Sequence, residues 1–360
     1  MGIFDMFVPQ KKTKSVIGID MGSSSLKVVQ LRREGGTAVL ENYGELALGP
    51  YAGSEIGTAT NLPAEKLAEA LTDLIREVGI TTTDAGISIP FSRSLLTLVE
   101  LPRRDNPEEQ KTIISLEARK YIPVPVSEVQ LDWFVVPETL PEGNELPNKV
   151  KVLLVAVHND ELTLLQSVIT AAKLQATFYE IEIFSTIRSV VDEPVKPVLV
   201  LDIGASAAKV YVVERGVVAL SHNIRAGGQD ITRSIATAHN LAIAAAEAQK
   251  KEFGFAAGAG YDRKTVETIF SRIFEEAKRV MVQYETAHNK AVSGLVLTGG
   301  GAVTKELAAY ATSFFSVDVR IADPFAKTAA PAFMRPVLQD IGPEFAVAVG
   351  LALRKLENLD

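Results

Sequence analysis

Apolar and polar positions fall into short strand-like blocks near the start of the chain. The run "VIGID" (residues 16–20) ends on Asp20, breaks at Gly22 into Ser23, Ser24 and Ser25, and resumes as "LKVVQL". A third apolar block, "TAVLENYGEL", follows a Gly35-Gly36 turn. Apolar runs of this length bounded by Gly and Ser predict strands joined by tight turns. The pattern returns 182 residues later. "VIGIDMGSSSLKVVQLRRE" aligns with "VLVLDIGASAAKVYVVERG", and Val16, Asp20, Gly22, Ser24, Lys27, Val28 and Arg33 recur in register. Hydrophobic patterning alone would not select an Asp, a Ser and a Lys at matching places, so the chain has two related halves. Each opens with strand, Asp-x-Gly-x-Ser turn, strand, glycine turn, strand, which predicts an open mixed sheet in each half.

Between the repeats, helix and strand patterns alternate. Residues 63–78 place Leu67, Leu71, Leu74, Ile75 and Val78 at helical spacing, with Pro63 at the first turn and Gly79 as the stop. From Ala85 strands return in "GISIPFSRSLLTLVELP", and a helix opening at Asn106-Pro107 is expected to run to the residue before Pro123. The strand "VQLDWFVVPE", the polar loop "TLPEGNELPNK", the strand "VKVLLVAVH" and a helix capped by Asp160 follow. Residues 85–165 therefore read as a sub-domain inserted in the first half. The remainder of that half is 1–84, 166–195 and a C-terminal helix in 343–360. The second half is 196–342, with a helical sub-domain at about 229–290 that includes the amphipathic run "TVETIFSRIFEEAKRVMVQYETA". "SGLVLTGGGAVTKELAAYA" reads as strand, glycine turn and helix.

Composition narrows the function classes. With 360 residues, 47% hydrophobic and 22% charged, the chain is long enough for two cores. A net charge of -7 without a long basic run disfavours nucleic acid as a partner. Cysteine is absent, which removes disulfides, thiolate metal sites and Cys nucleophiles and fits a cytoplasmic location. His158, His222, His239 and His288 are scattered without metal-ligand spacing and read as structural or exposed. The stretch with Ile3, Phe4, Met6, Phe7 and Val8 is interrupted by Asp5 and closed by Pro9, too short for a signal-peptide core or a membrane span. It reads either as a frayed tail or as a short docking segment.

The duplicated turns carry the candidate chemistry. Asp20 and Asp202 would sit at strand ends of two facing halves, where their carboxylates can hold Mg²⁺ through its waters. Gly22 lets the turn approach phosphate oxygens, and Ser23, Ser24 and Ser25 add hydroxyl donors; Gly204, Ala205 and Ser206 form the matching turn. Lys27 either faces a phosphate or is a solvated edge charge. A third turn, "LTGGGAV", holds Gly299, Gly300 and Gly301, which leave room for a flat base or ribose ahead of a helix N-terminus that favours anions. Gly227 and Gly228 form a further loop that enters a helix near the same cleft.

Taken together, the Asp20 turn, the Asp202 turn, Gly227-Gly228, "AEAQK" (246–250) and Gly299-Gly300-Gly301 resemble the actin, heat-shock chaperone and sugar kinase superfamily of ATP-binding proteins. The resemblance implies an α/β, actin-like ATPase fold with ATP and Mg²⁺ between the halves. It implies that Glu247 and Lys250, otherwise read as helix surface charges, contact ribose and base. In "YEIEIFSTIRSV" it makes Glu182, with Glu180 as the second choice, the acidic residue that places the attacking water or the metal. More narrowly, "LEARKYIPVPVSEVQLDW" and "GPEFAVAVGLALRKLEN" resemble the PilM family of type IV pilus assembly, whose inserted sub-domain is of FtsA type. That resemblance implies a partner, the N-terminal cytoplasmic peptide of PilN, in a groove between the first half and the inserted sub-domain. Other pilus platform proteins and the assembly ATPase are further expected partners, with membrane contact only through the partner.

On the residues alone, "RSLLTLVELPRR" and "RKYIPVPVSE" offer an apolar floor and a charged rim for an extended peptide. Arg93, Arg103, Arg104, Arg119 and Lys120 are rim charges or simply solvated residues. Ala205 and Ala207 stand where efficient ATPases of the superfamily place Gly and Thr, and Ile183 follows Glu182 where many have Pro, so binding with at most weak hydrolysis is expected. Three readings follow: an ATP-binding scaffold at the cytoplasmic face of the inner membrane, a filament-forming actin-like protein, and a small-molecule kinase.

Overall fold

The computed structural model describes residues 15–137, 148–192, 195–256, 258, 261 and 263–357. The apolar stretch at 3–8 and most of the polar loop at 139–149 lie outside the described residues. The strands are β1 (Ser15–Met21), β2 (Ser25–Glu34), β3 (Thr37–Ala47), β4 (Asp84–Ile89), β5 (Ser94–Pro102), β6 (Val129–Val135), β7 (Lys149–His158), β8 (Gln175–Ile181), β9 (Val198–Ile203), β10 (Ala208–Glu214), β11 (Val217–Ile224), β12 (Gly294–Thr298) and β13 (Asp318–Ile321). The helices are α1 (Ala64–Val78), α2 (Pro107–Ala118), α3 (Asn159–Ala171), α4 (Glu182–Val190), α5 (Gly228–His239), α6 (Ile243–Phe253), α7 (Arg263–His288), α8 (Leu307–Phe315), α9 (Arg335–Ile341) and α10 (Ala346–Glu357).

The duplication in the sequence is a duplication of topology. One five-stranded sheet runs β3-β2-β1-β4-β8 and the other β11-β10-β9-β12-β13. In both, the first three strands are antiparallel and the last two join in parallel. The repeated turns are superposable by their hydrogen bonds: Gly22 N–H donates to Ser25 O at 3.1 Å and Gly204 N–H to Ala207 O at 3.0 Å. The register sets Asp20 opposite Lys27 and Asp202 opposite Lys209. The central strand of each sheet is buried on both faces, which is why the runs at 16–19 and 198–201 are continuously apolar.

Helix ends follow local chemistry. Pro63 precedes α1, and Gly79 closes it in the left-handed region at φ +72°. The Asn106 side chain accepts the Glu108 N–H at 2.9 Å, with Pro107 at the first helical position. This α2 stops at Ala118, short of the expected end before Pro123, and residues 119–122 turn under the inserted sheet. For α3 the N-cap is His158, and Asp160 lies in the first turn rather than at the cap.

The inserted unit is a three-stranded antiparallel sheet, β5-β7-β6, closed by α2 over Val99, Leu101, Ile114, Ala118, Val152 and Leu154. It is narrower than residues 85–165. Strand β4 pairs with β1 and β8 in the first sheet, and α3 buries Leu165, Val168 and Ile169 in the first half's core. An apolar run such as "AGISI" carries no sign of which sheet it will join, and pairing with β1 decides it. Strand β5 lies beside β11 with no ladder between them.

The apolar C-terminal run Ala332–Glu357 is long and apolar enough to cross a membrane by composition, yet 61% of its most apolar window is buried inside the fold. Its helix α10 lies directly on β1, β2 and α4. A Cβ on Gly18 would fall 1.9 Å from Ala348 O, and one on Gly350 would fall 1.9 Å from Ser185 O. Backbone meets backbone there, and neither partner can yield as a flexible side chain would.

Gly350→Val is therefore expected to destabilise the protein by at least about 2 kcal/mol in urea unfolding, through overpacking that only a shift of α10 relieves. The exposed Gly36→Ala, whose added methyl meets nothing within 4 Å but sits at φ +83°, should cost less, on the order of 1 kcal/mol.

Candidate functional site

A cleft of about 570 Å³ opens between the two five-stranded sheets. It is within the size range of small-molecule sites. Both repeated turns line it: Gly22, Ser23, Ser24 and Ser25 on one wall, Gly204, Ala205 and Ser206 on the other. Asp20, Lys27, Glu182, Asp202, Gly228, Glu247, Lys250, Gly299, Gly300 and Gly301 also line it, so nearly the whole predicted set converges. Gly227 supports the cleft from behind. A Cβ there would lie 2.5 Å from Ala205 O, and its N–H is held at 2.8 Å by the Asp230 carboxylate.

The acidic centre is built by three elements. Asp20 is the penultimate residue of β1, and its Oδ1 accepts the Ser88 hydroxyl from β4 at 3.1 Å. Burial pushes the Asp20 carboxyl up to about 6. Lys27 and Lys209 pull it down and the Glu182 charge adds to the rise. Glu182 opens α4; its Oε1 accepts the Phe91 N–H at 2.6 Å and its Oε2 accepts Lys209 Nζ at 2.7 Å. Asp202 is the penultimate residue of β9 and receives the same ammonium at 3.3 Å. Burial alone would lower the Lys209 pKa, but Asp202, Glu182 and Asp20 hold it above the ordinary lysine value.

Lys209 lines the cleft and pairs with two of its carboxylates, yet it was not among the site residues expected from the sequence. It is the repeat partner of Lys27, and that symmetry was the available signal. Lys27 itself is neither solvated nor free: its ammonium pairs with Glu45 at 3.0 Å and donates to Ser25 Oγ at 2.6 Å. The Glu45 and Glu344 carboxyls share a hydrogen bond. Burial raises the Glu344 carboxyl and the Glu45 charge raises it further, whereas Lys27 keeps Glu45 low despite burial.

Glu180, the second choice, does not reach the cleft. It is buried against Arg188 at 2.8 Å and Arg354 at 2.7 Å, where it ties α4 and α10 to β8. At the opposite end, Glu247 accepts Thr232 Oγ1 and Lys250 Nζ, both at 2.6 Å, and Lys250 also reaches Gly228 O at 3.3 Å. Burial would raise Glu247, yet Lys250 holds it below the usual carboxylate value; burial also lowers Lys250. At the mouth, Glu55 Oε2 accepts the Ala244 N–H of α6 at 2.6 Å, and Gly57 packs against Glu247, so the halves touch.

The glycine turn differs from expectation in one respect. Helix α8 begins only at Leu307, after a hydrogen-bonded turn through Ala302 and Thr304, so no helix N-terminus faces the cleft at Gly299–Gly301. Two of its three glycines answer packing. A Cβ on Gly299, at φ +80°, would lie 2.3 Å from Asp202 Oδ1, and one on Gly301 would strike Ile203. Gly300 alone would take a Cβ without a clash, its nearest neighbour being Glu344 at an ordinary contact distance of 3.8 Å.

Two comparisons bear on this geometry. A family model described as type IV pilus assembly protein PilM matches residues 18–356. The chain belongs to the PilM family of type IV pilus assembly proteins. Among solved structures, the PilM-PilN type IV pilus biogenesis complex has a chain 24% identical, with a TM-score of 0.80 over 94% of this chain and 98% of that one. The ethanolamine utilization protein EutJ from Carboxydothermus hydrogenoformans is 13% identical, TM-score 0.54, over 94% and 89%. MreB5 of Spiroplasma citri bound to AMPPNP is 11% identical, TM-score 0.55, over 96% and 99%. At these identities the likeness is one of fold, and the fold is the actin-like ATPase fold.

Within this PilM-family cleft the raised Asp20 carboxyl makes a pH prediction. Below about pH 4 the group is protonated in both folded and unfolded chains; above about pH 6 the folded chain carries a charge that burial disfavours. Stability contributed by the proton is thus lost as pH rises through the folded value. Nucleotide-free Asp20→Asn should be about 2 to 3 kcal/mol more stable than the parent at pH 7.5 in urea unfolding, with the gap closing towards pH 4. A gap that does not change with pH would contradict the burial of this carboxyl.

Proposed function

We propose that this PilM-family protein is an ATP-binding scaffold of type IV pilus assembly that docks the N-terminal cytoplasmic peptide of PilN. The observation that carries the nucleotide half of this reading is the convergence of both repeated turns on one cleft. The N–H groups of Ser23, Ser24, Ala205 and Ser206 have no acceptor among the described residues, which is what a phosphate chain requires of its cradle. Gly300 leaves backbone open to a base or ribose, beside Glu247 and Lys250. Mg²⁺ would be held by phosphate oxygens and by water beside Asp20 and Asp202. Bound Mg²⁺ would neutralise charge on the phosphates.

The chain's own residues would work by position. Ser23, Ser24, Ala205 and Ser206 hold phosphate oxygens, Thr232, Glu247 and Lys250 fix the sugar side, and Glu182 faces the phosphate end. With its carboxylate engaged by Lys209 and Phe91 N–H, Glu182 is a poor base, which favours binding over turnover.

Support for the peptide partner is the family and the likeness to a PilM-PilN complex. The residues add a plausible route: Phe91, which Glu182 holds, belongs to the turn Phe91–Arg93 that leads into edge strand β5, with half-buried Leu95, Leu96 and Leu98. Arg93, at 3.7 Å from Glu161, and the exposed Arg104 edge this surface, while Lys120 is paired with Glu117 on α2. Through PilN the protein would sit at the cytoplasmic face of the inner membrane, with other platform proteins and the assembly ATPase as further partners.

Calorimetric titration of a synthetic PilN N-terminal peptide is expected to give micromolar binding in at least one of two conditions, with and without Mg-ATP. Absence of binding in both would end the scaffold reading. Asp202→Ala is expected to weaken Mg-ATP binding by at least about tenfold in the same assay.

A further inference from the structure

The two repeats place a lysine opposite each aspartate, and the two lysines have parted company. Across the next strand, Lys27 faces Glu45, whereas Lys209 faces Asn223. The neutral Asn223 gives the second ammonium no competing carboxylate on β11, and it pairs instead with Asp202 on the neighbouring strand β9 and, across the cleft, with Glu182. The first ammonium is drawn off to Glu45 instead. Lys209 is therefore the cation ion-paired within a centre of three carboxylates, Asp20, Glu182 and Asp202, contributed by both halves, while Lys27 acts on Asp20 from the wall.

We propose that Lys209 is a built-in counter-cation of the cleft, which holds Glu182 and Asp202 ion-paired and lets a nucleoside triphosphate enter with little dependence on Mg²⁺. This inference rests on the nucleotide reading of the same cleft. Its physical basis is charge. A triphosphate is strongly anionic, and three carboxylates in a recessed, half-buried site would repel it unless a cation intervenes. Lys27 and Lys250 also line the cleft but are paired with Glu45 and Glu247, so in a cleft lacking Lys209 the charge beside Glu182 and Asp202 would fall to the metal. Here the ammonium lies 2.7 Å from Glu182 and 3.3 Å from Asp202, its side chain 16% exposed, fixed to strand β10 in the middle of a sheet. It is thus permanently present and needs no recruitment. The same ion pair restrains Glu182, so Lys209 acts as a positioning residue and not as a catalytic one.

The test compares the affinity of a fluorescent ATP analogue in EDTA and in Mg²⁺ for the full-length protein and two variants. For Lys209→Met, the ratio of the dissociation constant in EDTA to that in Mg²⁺ is expected to rise at least about tenfold over the parent, because the metal must replace the lost charge. Lys209→Arg, which keeps the charge, should stay within about threefold of the parent ratio. A purely structural lysine would alter both affinities together and leave the ratio unchanged, and equal ratios in all three proteins would overturn the inference. If Lys209→Met does not fold, the comparison moves to a Glu182→Gln background, where one fewer carboxylate is left unpaired. There, addition of Lys209→Met must produce the same rise. A parent protein that binds the analogue in neither condition would instead overturn the nucleotide reading itself, and this inference with it.

Discussion

Backbone contact between α10 and the pair β1 and α4 fixes where two of the acidic groups of the cleft, Asp20 and Glu182, stand. Gly18 admits the carbonyl of Ala348, and Gly350 admits that of Ser185, so helix, strand and helix meet without side chains between them. Glu180 reinforces this joint through Arg188 and Arg354, and the Arg188 guanidinium also donates to Gly350 O at 3.1 Å. Because Asp20 is the penultimate residue of β1 and α4 begins on Glu182, the joint sets the spacing of two of the three carboxylates. The segment just before α10 extends the constraint to the other half: Pro343 O accepts Gly299 N–H at 2.9 Å and Thr298 Oγ1 at 3.0 Å. Movement at this joint would be felt at both walls of the cleft.

Duplication explains the rest of the cleft, and divergence explains its character. Two sheets of the same strand order bring two copies of one turn face to face, each with an aspartate at the end of its central strand. A symmetric arrangement would hold two equivalent lysines. Instead the β3 copy offers a carboxylate, Glu45, where the β11 copy offers Asn223, and Lys27 pairs with Glu45 at the wall while Lys209 pairs with Glu182 and Asp202 at the centre. The result is a centre with its cation built in and a carboxylate whose two oxygens are already engaged. Such a site is suited to holding a ligand and less suited to activating water. Glu182 also ties the centre to the turn that opens the inserted sheet, so the cleft and that sub-domain share a hydrogen-bonded residue.

The sequence by itself determined the features that depend on neighbours along the chain. The repeat, the Asp-x-Gly-x-Ser turns, the stop of α1 at Gly79 and the start of α2 at Asn106 all rest on local backbone and capping chemistry, and all stand where the residues place them. The converging walls of the cleft were legible for the same reason, since paired strands of known turn chemistry leave few topologies open. Tertiary structure alone decided the rest. The run at 85–89 is apolar in any sheet, and only pairing with β1 and β8 assigns it to the first. Glu180 and Glu182 differ by two positions, but β8 ends at Ile181 and the helical turn that follows sends one carboxylate to α10 and the other to the cleft. Gly299 and Gly301 read as room for a ligand and proved to be room for Asp202 and Ile203. Lys209 acquires its place only when two halves of the chain close on it, since charges far apart in sequence meet through packing and not through pattern.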